Sequence, residues 1–138
     1  MQERLYRGKT KFNEWLYWNE YGAMLDENGS HKAYNIDMIR VIYVDTAGRF
    51  IIRKTVGQFT GLTDRNGKKI FEGDIVTGLF LFGMSVNAVV TFQDGAFGFE
   101  WYRGDVKTFN AFTSICNVEY EAIGNVHDNP ELLKGGVE

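Results

Sequence analysis

The 138-residue chain is short of several things, and each shortage removes a class of function. Its one cysteine, Cys116, rules out an intramolecular disulfide and a cysteine-rich zinc site, and it fits a reducing compartment. An excess of positive charge is missing too. The formal net charge is -3, where a nucleic-acid binder is expected to be basic over at least one face. The longest apolar run, Gly78–Val90, is about half a membrane span and is broken by Gly83, Ser85 and Asn87, so no membrane partner is expected. The opening stretch MQERLYRGKTKFNEW is charged and has no apolar core, so a secretory signal is not expected and a cytoplasmic location is. Neither G-x-x-x-x-G-K-[ST] nor G-x-G-x-x-G occurs between a strand and a helix, which argues against nucleotide chemistry. No helical amphipathicity of convincing length is present.

What the chain has is turns and rings. Hydrophobic residues make up 44% and charged residues 24%, ordinary globular values that argue against disorder. Asn28-Gly29, Asn66-Gly67 and Asp94-Gly95 supply the positive-φ pairs that tight hairpins require. Between them lie runs of strand character: Met38–Val44, Arg49–Leu62, Asp74–Phe82, Asn87–Phe92, Ala96–Tyr102 and Glu119–Val126. In Ala96–Tyr102 the period of two puts Phe97, Phe99 and Trp101 on one face. Pro130 after Asp128-Asn129 is placed to open a short helix. The expected fold is therefore mainly β, a β-rich α+β chain. Its antiparallel strands form a small barrel-like C-terminal part, with one or two short helices. It is read as one domain over 1–138, with two subdomains: residues 1–55, where charges and rings mix, and residues 56–138, dense in turns and strands.

Aromatic residues reach 15%, and two readings of them compete. Rings beside cations suit a single-stranded nucleic-acid surface, while the same rings also fill cores and protein interfaces. Trp15, Trp18, Trp101 and Tyr102 are the candidate contact anchors. The carboxylates Asp64, Glu72 and Asp74 crowd one short stretch and could bind a cation together, Glu72 and Asp74 being two apart on an extended strand. Each also has a turn explanation: Asp64 opens Arg65-Asn66-Gly67, while Glu72 and Asp74 flank Gly73. Gly61, Asn66, Gly67, Gly73 and Asp74 are accordingly expected to determine the fold. His127-Asp128 has the chemistry of a general base beside a carboxylate, but chain neighbours in an extended strand rarely point at each other. His31 reads as a solvated loop residue. No catalytic residue, cofactor or metal site is assigned.

Three blocks then carry a resemblance. Lys11-Phe12 with Trp15, the stretch Gln58–Val76, and Tyr120-Glu121-Ala122-Ile123-Gly124-Asn125-Val126-His127-Asp128-Asn129-Pro130-Glu131-Leu132-Leu133 together look like the YopX family of phages, prophages and mobile elements. Asn13 and Glu14 depart from the family's opening pattern. The resemblance carries no catalytic position with it. It implies a small accessory protein, non-enzymatic, that assembles into homo-oligomers or binds a phage or host protein. A single-stranded nucleic-acid module on a small barrel is the alternative. A metal-assisted hydrolase using Asp64, Glu72, Asp74 or His127 is the second alternative.

Overall fold

The Phe97/Phe99/Trp101 alternation lies in the strand next to one edge of an antiparallel sheet in the computed structural model, which describes residues 4–21, 23–28, 51–81, 83–112 and 119–135. Ten strands are present among them: β1 (Leu5–Lys9), β2 (Trp15–Asn19), β3 (Met24–Leu25), β4 (Gly57–Thr63), β5 (Lys69–Phe71), β6 (Asp74–Leu81), β7 (Met84–Gln93), β8 (Ala96–Arg103), β9 (Val106–Ala111) and β10 (Glu121–Asn125). A 3-10 turn at Arg53–Thr55 and one α-helix, α1 (Glu131–Gly135), complete the described elements. The strands form two five-stranded sheets, ordered β3-β2-β1-β4-β5 and β10-β6-β7-β8-β9. The second sheet is open: β10 and β9 are its two edges, so the C-terminal part is not closed into a barrel. Every strand pairing in it is between adjacent antiparallel strands, and among the described residues no strand joins the edges.

The chain divides between Phe59 and Thr60 into two units, inside β4. In the first, β1 pairs with β2 from Leu5↔Asn19 to Lys9↔Trp15. Its interior is Trp18, Met24 and Ile51, with Tyr6 stacked on Trp18 at 6.3 Å. Gly8 belongs there because a Cβ at that position would sit 2.8 Å from Ile51 and 3.0 Å from Trp18. The strand expected over Arg49–Leu62 is interrupted. Ile51 makes only an isolated bridge to Thr10, and the 3-10 turn follows before β4 begins. Thr55 holds that turn, its hydroxyl donating to the Ile52 carbonyl at 2.6 Å and accepting from the Lys9 N–H at 2.8 Å.

In the second unit Ile70, Val76, Leu79, Val86, Ala88, Val90, Phe99, Trp101 and Tyr120 make one core. Val86, Ala88 and Val90 of β7 and Phe99 and Trp101 of β8 share one face because alternate strand residues point the same way; the register shift in β6 between Val76 and Leu79 brings both of those in, and Ile70 of β5 and Tyr120 before β10 join them. Rings continue the core in contact order Tyr120, Phe99, Phe112, at 5.3 and 4.6 Å. Asp94 and Gly95, both at positive φ, close the β7–β8 hairpin as two-residue turns of this twist require. β9 was not foreseen as a strand, since Lys107, Thr108 and Asn110 weaken its apolar pattern. The strand expected over Met38–Val44 lies outside the described residues, as do His31 and Cys116. No helix among the described residues is long and apolar enough to cross a membrane.

Candidate functional site

The acidic stretch resolves into turn chemistry. Asp64 is buried, and its Oδ1 accepts the N–H groups of Asn66 at 2.8 Å and Lys68 at 3.0 Å. Its Oδ2 reaches across to β10 and accepts the Ala122 N–H at 3.0 Å. Burial alone would raise its pKa, but the three N–H donors and the nearby Lys68 charge outweigh burial and hold the carboxyl below its ordinary range. The Arg65 N–H donates to the Tyr120 carbonyl at 3.0 Å, and the Tyr120 hydroxyl donates to the Thr63 carbonyl at 3.3 Å. Burial, and behind it the Asp64 charge, raise the Tyr120 pKa, so the phenol keeps its proton and that bond. The β4–β5 hairpin is thus tied to the last strand through one carboxylate and one tyrosine.

Asp74 does the same work over a shorter span. It is buried, and its Oδ2 accepts the Phe71 N–H at 2.8 Å, closing the tight turn that Glu72 and Gly73 make. The Gly73 N–H donates to Val90 of β7, and its carbonyl accepts from Val126 after β10, both at 2.8 Å. Glu72 is half-buried beside Gly73. Gly61, Gly67 and Gly73 all have positive φ, and the Gly67 N–H closes a turn onto the Asp64 carbonyl at 3.0 Å. Among the described residues no group of three His, Cys, Asp or Glu side chains converges as a metal would need. His127 donates its N–H to Asn125 Oδ1 at 3.0 Å, within a turn where that oxygen also accepts from Asp128 and Asn129 Oδ1 accepts from Asn125. The side chain of Asn129 fills the space a Cβ on Gly124 would need.

The four rings chosen as contact anchors separate into interior and surface. Trp101 is 0% exposed and donates its indole N–H to Asn110 Oδ1 at 2.8 Å. Trp18 is 7% exposed and belongs to the first unit's interior. In this chain neither presents a face to a partner, a correction that follows from strand parity: Trp101 shares the face of Phe97 and Phe99. Trp15 is half-buried under the Arg7 guanidinium, 4.8 Å from the ring centroid. Tyr102 alone is surface, 38% exposed, on the opposite face from Trp101.

Tyr102 has company that no sequence motif marks. The β6–β7 and β8–β9 turns fall at one end of the second sheet, because β7 runs antiparallel to both β6 and β8. Phe80, Met84 and Val106 flank those turns and are 64%, 42% and 65% exposed. By register Phe80 and Tyr102 fall on one face of the sheet at this end, and Met84 and Val106 on the other. The signal available in the sequence was the apolar pairs on either side of Gly83 and Gly104-Asp105. Apolar residues at hairpin tips are what an ordinary solvated turn avoids.

Residues 5–134 match the family described as YopX protein. The chain belongs to the YopX family. Among solved structures it is similar to protein EF1440 from Enterococcus faecalis, at 23% identity and a TM-score of 0.52, over 96% of this chain and 99% of that one, a likeness of fold alone. No curated protein matches it significantly. The three blocks that resemble the YopX pattern now have a place. Lys11-Phe12 lie in the β1–β2 turn, where Thr10 Oγ1 accepts the N–H groups of Phe12 and Glu14 at 3.1 and 3.3 Å. Gln58–Val76 and Tyr120–Leu133 meet through the Asp64, Arg65 and Gly73 bonds. In this YopX chain the matching residues build turns and fasten strands, while Phe80, Met84, Tyr102 and Val106 fall outside those blocks.

Proposed function

We propose that this YopX protein is a non-enzymatic accessory protein of phage or mobile-element type, acting in the cytoplasm by binding another protein surface. One observation carries the reading: Phe80, Met84, Tyr102 and Val106 stand exposed at one end of the second unit's sheet. Exposed apolar residues scattered singly need no explanation, but Phe80 and Tyr102 share one face of the sheet at this end, a grouping of the kind that marks protein contacts. Tyrosine and phenylalanine suit that use, since they bring large contact area at little loss of side-chain freedom. Two of the carboxylates a hydrolase would need, Asp64 and Asp74, accept backbone N–H groups instead.

The test is affinity capture from cells that carry the parent element, with wild type beside Phe80→Ser/Tyr102→Ser. The expected result is a protein retained by wild type and lost with the variant while the variant stays folded. Equal retention by both contradicts the reading. Retention of a single-stranded oligonucleotide that salt elutes would favour the nucleic-acid alternative instead.

A further inference from the structure

The tip of the β4–β5 hairpin carries a pair, Asn66-Gly67, whose one side chain serves neither the turn nor the core. Both residues are exposed, and the Asn66 side-chain amide has no hydrogen-bond partner among the described residues. Gly67 stands at φ +82°, and nothing lies within 4 Å of where a Cβ on it would be. A glycine after asparagine leaves its backbone nitrogen open to the asparagine side chain, because no Cβ screens it. Other described asparagines are held by what they do. Asn19 accepts the Tyr21 and Ala23 N–H groups, Asn110 accepts the Trp101 indole, and Asn87 donates to the Leu132 carbonyl. Asn125 is bonded on both sides of its amide, and Asn129 precedes Pro130, whose nitrogen has no proton to lose. Asn13 is exposed but is followed by Glu14, which has a Cβ. Asn28 precedes a glycine too, but Gly29 lies outside the described residues.

We propose that Asn66 is a site of spontaneous deamidation, restrained by Asp64, and that its isoaspartyl product unties the hairpin from β10. In the reaction the Gly67 nitrogen gives its proton to solvent and bonds to Asn66 Cγ. The bond from Cγ to the side-chain nitrogen breaks, and that nitrogen takes a proton and leaves as ammonia. Water then opens the five-membered imide. Cleavage at Cγ gives aspartate, and cleavage at the main-chain carbonyl gives isoaspartate; the sum is amide plus water to carboxyl plus ammonia. Asp64 opposes the first step twice. Its carbonyl accepts the Gly67 N–H at 3.0 Å, and its Oδ1 holds the N–H groups on either side, Asn66 at 2.8 Å and Lys68 at 3.0 Å. The Gly67 nitrogen is available only when the turn opens, and an exposed hairpin tip is where opening costs least. Arg65 and Lys68, both exposed, then favour loss of the backbone proton. Isoaspartate adds a methylene to the main chain before Gly67, so the bonds from Gly67 and Lys68 back to Asp64 lose their spacing. The same carboxylate's Oδ2 is what reaches the Ala122 N–H.

Peptide mass mapping of the full chain tests this, after prolonged warm incubation at neutral pH and digestion after aromatic residues. The peptide spanning Asn66 is expected to gain the amide-to-acid mass before those holding Asn13, Asn87 or Asn125, and to split into aspartyl and isoaspartyl forms. Asp64→Ala should gain it several-fold faster. An Asn66 that stays unmodified, or changes after those three, overturns the site; a folded Asp64→Ala that reacts at the wild-type rate overturns the restraint. If Asp64→Ala does not fold, wild type in urea below its unfolding transition decides. A rate at Asn66 that rises with urea supports the restrained turn, and a rate that stays flat overturns it. The isoaspartyl fraction should lose protection of the Ala122 amide from hydrogen exchange. Asn66→Asp, with the new charge on an ordinary backbone, should keep it. Equal protection in the two overturns the untying.

Discussion

The end of the second sheet where β6 begins and the end where β6 turns into β7 are built from opposite materials. At the first, polar groups are used inward: Asp74 on Phe71, Gly73 between Val90 and Val126, Asn125 on His127 and Asp128. At the second, Phe80, Met84, Tyr102 and Val106 are exposed. Every buried donor satisfied at one end contributes to a single native register, since an orphaned N–H costs about 1–3 kcal/mol. Nothing of that kind is gained by leaving rings in water at the other end. The difference separates residues that specify the fold from residues available to a partner, and it runs between chain neighbours. Trp101 and Tyr102 are adjacent and belong to opposite classes.

The sharpest way to break this contrast is to truncate those two neighbours in turn. Trp101→Ala removes a fully buried ring and strands Asn110 Oδ1, and it should cost roughly 3–5 kcal/mol in denaturant unfolding, where Tyr102→Ala costs well under a third of that. Similar costs for the two would erase the distinction.

Asp64→Ala comes next. Three N–H groups lose their acceptor, and a loss of roughly 2–4 kcal/mol is expected in chemical denaturation. The same carboxylate makes an acid-dependence prediction. Its pKa is depressed in the folded chain, so its stabilisation is fully present above the ordinary aspartate range and is lost as pH falls through the folded value. The stability gap between wild type and Asp64→Asn should therefore narrow on acidification. A gap that stays constant with pH would show that the carboxylate's charge plays no part.

Gly67→Val should have a smaller effect. A Cβ there meets nothing within 4 Å, so only the backbone at φ +82° resists, at about 1–2 kcal/mol in thermal unfolding. An unchanged midpoint would refute the placement of that turn.

Much of this architecture was legible in the residues. Asp94-Gly95 and Asp64-Arg65-Asn66-Gly67 announce their hairpins, because few residue types accept positive φ, and the period of two in β8 states which rings are inside. The short strands of the first unit were not legible: in Trp15–Asn19 three consecutive residues are half-buried and the next two buried, so no clean alternation marks them. The open sheet was mistaken for a barrel because closure depends on whether the two edge strands meet, which no local pattern encodes. The surface rings were misjudged for a related reason. Trp residues attract notice by size, but strand parity decides exposure, and by parity Trp101 goes in with Phe99 while Tyr102 goes out. Phe80 and Met84 carry no motif at all, as contact residues that serve no turn need not.

The smallest expected effect is also the most direct test. The unfolding free energy of Phe80→Ser/Tyr102→Ser should stay within about 0.5 kcal/mol of wild type, because neither ring is part of the core. A fall as large as that of Asp64→Ala would mean that these rings hold the fold together, and the outward end of the sheet would no longer be a surface kept for a partner.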